Sequence, residues 1–250
     1  MSALCVALVM AQSDVFHAAY VLQAKPWQET SALAEVFCRE SGRVSIAFRG
    51  VRRGGHSKSS LLQPFQPVWV SYGGRHELRS GRQLESRAAS VWLSGNALIS
   101  GFYLNELLVR LLQREDAHPR LFDAYEESLA LLYAGAIEPC LRIFERKLLA
   151  EIGYEIRFDH DANGEALVEG GWYCYRHEEG FVRRSGNEPR AEPCFSGGLL
   201  MAVGREEYDL LDVLRTAKQL FRTALAPHLG SKPLVSRSLF RPSLKISKEG

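Results

Sequence analysis

The chain has 250 residues, 46% hydrophobic and 24% charged, which suits one large or two modest domains with real cores. No run reaches the ~18 apolar residues of a membrane span. The five cysteines, at 5, 38, 140, 174 and 194, form no disulfide framework, which excludes a cross-linked secreted scaffold and points to a reducing cytoplasm.

The net charge of +2 hides a split. Residues 39–87 carry ten Lys/Arg against three Glu, and residues 215–250 carry eight against one. Residues 88–214 carry twelve against twenty-two acidic residues. Two basic regions flanking an acidic middle call for a polyanionic partner on the basic parts.

The opening MSALCVALVM lacks the positive residues of a signal peptide and reads as an N-terminal extension or a misassigned start. From residue 15 the pattern is β. VFHAAYVLQ, TSALAEVFC, GRVSIAFRG and PVWVSYGG are short runs rich in β-branched and aromatic residues, separated by KPWQE, RESG and a glycine-rich loop. A fifth short strand near HELRS completes the set. Five short strands in about 70 residues favour a small barrel over a sandwich.

The loop inside this region, RGVRRGGHSKSSLLQPF, packs Arg49, Arg52, Arg53 and Lys58 among glycines and serines with no acidic residue. Gly50 and Gly55 have P-loop spacing, but residue 56 is His where the lysine should be, and no long helix follows. The reading that fits is a hairpin tip gripping a phosphate backbone, with Arg43, Arg75 and Arg82 on the same side. Phe48, Phe65, Trp69 and Tyr72 lie nearby, either to stack bases or to fill the barrel core.

From Ser94, the expected N-cap, the period becomes helical: Leu98, Phe102, Asn105 and Leu108–Leu112. Pro119 opens a second helix. A third runs through Ile137, Cys140, Leu141, Phe144 and Leu148, with Pro139 in its first turn and Gly153 as its stop. Residues 154–204 lose the period, and GGWYCYRHEEGFV suggests a hairpin. Helical spacing returns over Glu206–Leu229, where Lys218 and Arg222 lie at i, i+4, and a basic tail interrupted by Ser and Pro follows.

No chemistry assembles in the acidic middle. DHDANGE places Asp159, Asp161, Asn163 and Glu165 on alternate positions, but Gly170 stands where a calcium loop needs its closing glutamate. His160, Cys174, His177 and Cys194 are the metal-like set, and they lack the two close pairs of a zinc motif. No nucleophile–base set and no G-x-S-x-G elbow is present. No catalytic residue, metal or cofactor is expected.

Several segments together resemble the bacterial DNA-repair family RecO. They are YVLQAKPWQETSALAEVFCRESGRVSIAFRGVRR, LLQPFQPVWVSYGGRHEL, SGFYLNELLVRLL, LRIFERKLLAEIGY and GSKPLVSRSLF, spread from about Phe16 to Phe240. The resemblance implies an α+β chain. An N-terminal five-stranded OB-fold β-barrel (1–82) would be followed by an α-helical domain (83–250) with a small β-containing insertion, about 155–203, and a basic tail. Many members carry four zinc cysteines there as two C-x-x-C pairs. This sequence has only Cys174 and Cys194, unpaired in sequence, so it resembles the zinc-less branch.

The resemblance also implies a non-enzymatic recombination mediator of the cytoplasm and nucleoid. Such proteins bind single- and double-stranded DNA, anneal complementary strands, contact the C-terminal tail of single-strand-binding protein (SSB) and RecR, and help load RecA. The expected DNA contacts are Arg43, Arg49, Arg52, Arg53, Lys58, Arg75 and Arg82, extended by Lys218 and Arg222. The expected SSB-tail site is the helix LRIFERKLL, with Leu141, Arg142 and Arg146. Phe144 is expected in the core, and Arg142 is the chosen cation because an unpaired arginine is rarely buried. The rival reading is a helical adaptor whose basic regions bind acidic proteins without DNA activity.

Overall fold

The computed structural model describes residues 15–52, 59–89, 92–184 and 193–239. They form two compact units. The barrel unit holds the described residues through 89 together with Gln113–Phe122. The helical unit holds Trp92–Leu112 and the described residues from Asp123 onward.

The barrel unit is built on five strands: β1 (His17–Trp27), β2 (Ser31–Cys38), β3 (Gly42–Phe48), β4 (Pro67–Gly73) and β5 (Leu78–Ser86). They close in the order β1-β2-β3-β5-β4, with β4 back on β1. Every pairing is antiparallel except β3–β5, where Ser45, Ile46 and Ala47 lie beside Leu78, Arg79 and Ser80. That arrangement is OB-like and abolishes free sheet edges. The strands form because alternate residues are apolar. Val21, Ala34, Val36, Val44, Ile46, Val68 and Val70 point inward and are closed to solvent.

Strands β1 and β2 are buried on their outer face as well. Tyr20 and Phe37 each pack against Phe122, with ring centroids 5.5 Å apart, and the Arg87 guanidinium lies 5.1 Å from the Tyr20 ring. The residues that return to the barrel, 113–122, also make an isolated bridge from Arg114 to Arg43. Gly42 makes that close approach possible: its φ is +67°, and a Cβ there would lie 1.8 Å from the Asp116 carbonyl oxygen.

The helices are α1 (Gly95–Leu111), α2 (Pro119–Tyr133), α3 (Ile137–Glu151), α4 (Gly197–Gly204), α5 (Leu211–Leu229) and α6 (Val235–Leu239). Ser94 is the N-cap residue of α1, and Gly153, φ +89°, follows α3. In the helical unit Leu104, Leu107, Leu108, Phe144, Leu148, Leu220, Phe221 and Leu225 are closed to solvent. The insertion carries a three-stranded sheet, β6 (Trp172–Arg176), β7 (Gly180–Arg183) and β8 (Cys194–Ser196), in the order β7-β6-β8. HDANGE forms a turn in which one Asp161 carboxylate oxygen, Oδ1, accepts the amides of Asn163 and Glu165 at 2.9 and 3.1 Å.

One sequence expectation is corrected here. Cys174 and Cys194 are not unpaired: a disulfide joins them. They stand 20 residues apart, but β8 returns along the far edge of β6 and sets the two directly opposite each other.

Candidate nucleic-acid interface

The basic residues of the barrel unit separate into two groups. Arg49 follows β3 directly, and the parallel register of β3 on β5 carries it toward Arg82. The Phe48 ring covers Gly81, where a Cβ would come within 2.3 Å of it. Arg52 is fixed to the turn between β1 and β2: its amide donates to the Thr30 carbonyl at 3.1 Å and its Nη1 to the Glu29 carbonyl at 3.4 Å. The Arg82 guanidinium lies across Gly73 on β4. Arg49, Arg52 and Arg82 are exposed. Among the described residues no carboxylate pairs with Arg49 or Arg52. Arg53 and Lys58 lie outside the described residues.

The other group surrounds the beginning of β3 and is neutralised. Arg43, expected as a phosphate contact, has a side chain only 13% exposed and donates to Glu35 at 3.0 Å. The reason is register. Glu35 pairs with Ser45, so Arg43, two residues away, lies diagonally on the same outer face. Glu35 also accepts from the Ser45 hydroxyl and from Arg114 at 3.3 Å, and Arg114 reaches Glu77 at 3.0 Å. Arg79 makes a two-pronged pair with Glu115, 2.7 Å at each contact. Arg75 is exposed, but it sits in the turn that precedes β5, toward this neutralised end and away from Arg82. The sequence placed it on the same side because it counted charge without register.

The aromatics divide as well. Phe48 and Phe65 are core, Tyr72 stacks on His17 with centroids 5.0 Å apart, and Trp69 is 39% exposed on the outer face of β4.

In the helical unit Lys218 pairs with Glu138 at 2.9 Å, while Arg222 is exposed with no partner among the described residues. The tail is not loose as far as Leu239. The Glu106 carboxylate on α1 accepts the amides of Val235 and Ser236, both at 2.9 Å, and the Ser236 hydroxyl at 2.7 Å. Burial raises the Glu106 pKa, but these hydrogen bonds and Arg110 hold it below the ordinary glutamate value. Arg110 also donates to the Lys232 carbonyl at 2.8 Å.

Helix α3 corrects a further expectation. Arg142 is not at a surface: it is 4% exposed, and its Nη2 lies 3.2 Å from Glu145, one turn on. Burial of the arginine is tolerated because that carboxylate pairs with it. Tyr103 donates to the same Glu145 oxygen at 2.6 Å. Burial pushes the Glu145 carboxyl above its ordinary value, against the opposing pull of Arg142. Arg142 Nε and Glu145 Oε2 are buried without a hydrogen-bond partner. Leu141 is 6% exposed and Phe144 wholly buried. Arg146, one turn beyond Arg142, is partly accessible: its side chain is 31% exposed, donates to the Gly204 carbonyl at 2.9 Å and pairs with Glu206 at 3.3 Å; the neighbouring Lys147 is more exposed and pairs with Glu127.

Sequence reasoning missed Glu35, Glu106 and Glu145, the carboxylates that decide which cations are occupied. Glu145 and Glu106 left local signals, the R-x-x-E spacing to Arg142 and the E-x-x-x-R spacing to Arg110, each on one helix; Glu35 left none.

The chain matches the model of the recombination protein O N-terminal domain over residues 10–89 and that of the recombination protein O C-terminal domain over residues 93–238. It is 43% identical over 224 residues to the DNA repair protein RecO of Pseudoalteromonas atlantica, covering 89% of this chain and 92% of that one. It is 44% identical over 224 residues to that of Pseudomonas entomophila, covering 89% and 96%. For the Escherichia coli K12 protein the identity is 41% over 226 residues, covering 89% and 92%.

Proposed function

We propose that this chain, which belongs to the RecO family of DNA repair proteins, is a non-catalytic mediator that grips the DNA backbone at the Arg49 end of its barrel. The observation that carries this reading is the division of charge. Arg43, Arg79 and Arg114 are already held by carboxylates, whereas Arg49 and Arg52 are exposed and meet none among the described residues. A cation that enters a phosphate contact must be free to replace the counterions it displaces. Trp69 offers an aromatic face on the same barrel for an unpaired base.

Both single and double strands present that backbone, so one protein can hold two complementary strands and anneal them. The SSB tail docks along α3, where Arg146 is a partly exposed cation and the buried Leu141 and Arg142 lie about one turn earlier. Arg222 on α5 extends the DNA contacts or meets RecR, and the assembly delivers RecA to gapped DNA.

The test is a salt titration of binding to a labelled, unstructured oligonucleotide. Replacing Arg49, Arg52 and Arg82 together with Ala should lower the log–log salt slope by about 2, at roughly 0.7 per contact for a single strand. The thermal midpoint should hold. An unchanged slope places the DNA elsewhere. Absence of DNA binding by the unaltered protein would favour an adaptor that binds acidic proteins.

A further inference from the structure

Cys174 and Cys194 face each other across β6 and β8, with Cα atoms 4.1 Å apart. Cys174 is 8% exposed and Cys194 is more accessible. The other described cysteines differ in kind. Cys38 and Cys140 are free thiols closed to solvent. Burial pushes both thiols up, Cys140 to about 11 and Cys38 further. The thiolate is the reactive form, so those two are inert while the protein is folded. Cys5 lies outside the described residues.

Strand β8 has few backbone pairings to hold it, with Phe195 as its one buried side chain. It is three residues long, opposed to β6 through Trp172–Ser196, Tyr173–Phe195 and the cysteine pair. Beyond it the Gly197 amide donates to the Gly171 carbonyl at 2.8 Å, and Gly197 is already the first residue of α4. Whatever fixes β8 therefore fixes where α4 begins.

We propose that Cys174 and Cys194 are a reversible thiol–disulfide couple that locks β8, and with it the start of α4, onto the insertion sheet, closed and opened by exchange with glutathione. In the closing direction the Cys194 thiolate, the more accessible sulfur, attacks glutathione disulfide. A mixed disulfide forms and one glutathione thiolate leaves. The Cys174 thiolate then attacks the Cys194 sulfur, the protein disulfide forms and the second glutathione thiolate leaves. The two protons lost by the cysteines end on the two glutathiones, and two electrons pass from the protein to glutathione disulfide. Opening is the same sequence reversed.

The experiment uses the full chain, equilibrated in mixtures of glutathione and glutathione disulfide. The samples are quenched in acid, unfolded, alkylated and mapped by mass spectrometry. Cys174 and Cys194 should lose their thiols together, as one cross-linked peptide pair, at a ratio independent of protein concentration. Cys38 and Cys140 should remain thiols throughout, and dithiothreitol should restore the starting state. Amide exchange is the second readout. In the reduced protein, β6 and β8 should exchange roughly 100-fold faster, the order expected from releasing a loop of about 20 residues. Cys194→Ser should exchange at the reduced rate in either buffer. A mixed disulfide that stops at Cys194, cross-links between chains, or equal exchange in both redox states of the unaltered protein would overturn the proposal.

Discussion

Replacing Arg142 with Met removes a buried cation and leaves Glu145 where it is. The Glu145 carboxylate then retains the Tyr103 hydroxyl at 2.6 Å but loses the guanidinium 3.2 Å away. Breaking a buried pair from one side costs about 3–5 kcal/mol, because the remaining charge is uncompensated. The carboxyl can escape part of that cost by taking up a proton, so the loss depends on pH. Glu145 already has a raised pKa in the folded protein. A group whose folded pKa lies above its unfolded value, about 4.3 for Glu, favours the folded state below that value. The contribution disappears as pH rises toward the folded pKa. Arg142→Met raises the folded pKa further and widens that window upward. The variant should therefore lose about 3–5 kcal/mol at pH 8 and markedly less at pH 5. The double variant Arg142→Met, Glu145→Gln should recover most of the loss at pH 8 and be nearly flat with pH. Urea unfolding followed by helix circular dichroism at the two pH values measures all three proteins. A loss for Arg142→Met that is equal at pH 5 and pH 8, or a double variant no better than the single one, would refute the reasoning.

Glu106→Gln weakens three hydrogen bonds to the α6 segment and should cost about 1–2 kcal/mol locally, read as faster amide exchange at Val235 and Ser236. Glu106 has a depressed pKa, so its contribution is complete above the unfolded value near 4.3 and is lost as pH falls through the folded one; in the unaltered protein, the protection factors of these amides, with the intrinsic rate divided out, should fall in acid. Truncation after Leu229 should lower the thermal midpoint measured by calorimetry, since it removes Leu234, 5% exposed, and leaves Glu106 without its donors. Gly42→Ala should cost about 3 kcal/mol or more, visible in urea unfolding of the barrel, because the new methyl meets the Asp116 backbone. Lys218→Ala should change stability by less than about 1 kcal/mol, the usual worth of an exposed pair such as that with Glu138.

Four barrel strands were legible as short runs rich in apolar and β-branched residues, whereas β5 buries only Leu84 and was legible only near its start, HELRS. The end of β1 was not. KPWQE reads as a connector, yet β1 continues through Pro26 and Trp27, opposite Ala32 and Ser31. Its outer half is solvent-facing and so shows no apolar alternation. Helix α4, GGLLMAVG, has three glycines and apolar residues on every side, which leaves no 3.6-residue period to detect. Strand β8 is too short for any period. For the interface, the number of cations could be counted in the sequence, but their occupation could not. Whether Arg43 is free depends on Glu35 lying opposite Ser45, a fact of strand register. The cysteine pair depends in the same way on β8 returning along β6.

The return of Gln113–Phe122 to the barrel has a consequence for how the protein is made. A ribosome delivers all five strands by Ser86, but the Phe122 ring that covers Tyr20 and Phe37 emerges 36 residues later. At ~5–20 residues per second the young barrel spends roughly 2–7 seconds with two large aromatics uncovered. During that interval α1 leaves the ribosome without the later helices that complete its packing. A nascent chain stalled between Ser86 and Phe122 should therefore be far more sensitive to protease, and more adhesive to chaperones, than one stalled soon after Tyr133. An isolated barrel fragment ending at Ser86 should aggregate unless residues 113–122 are supplied in trans.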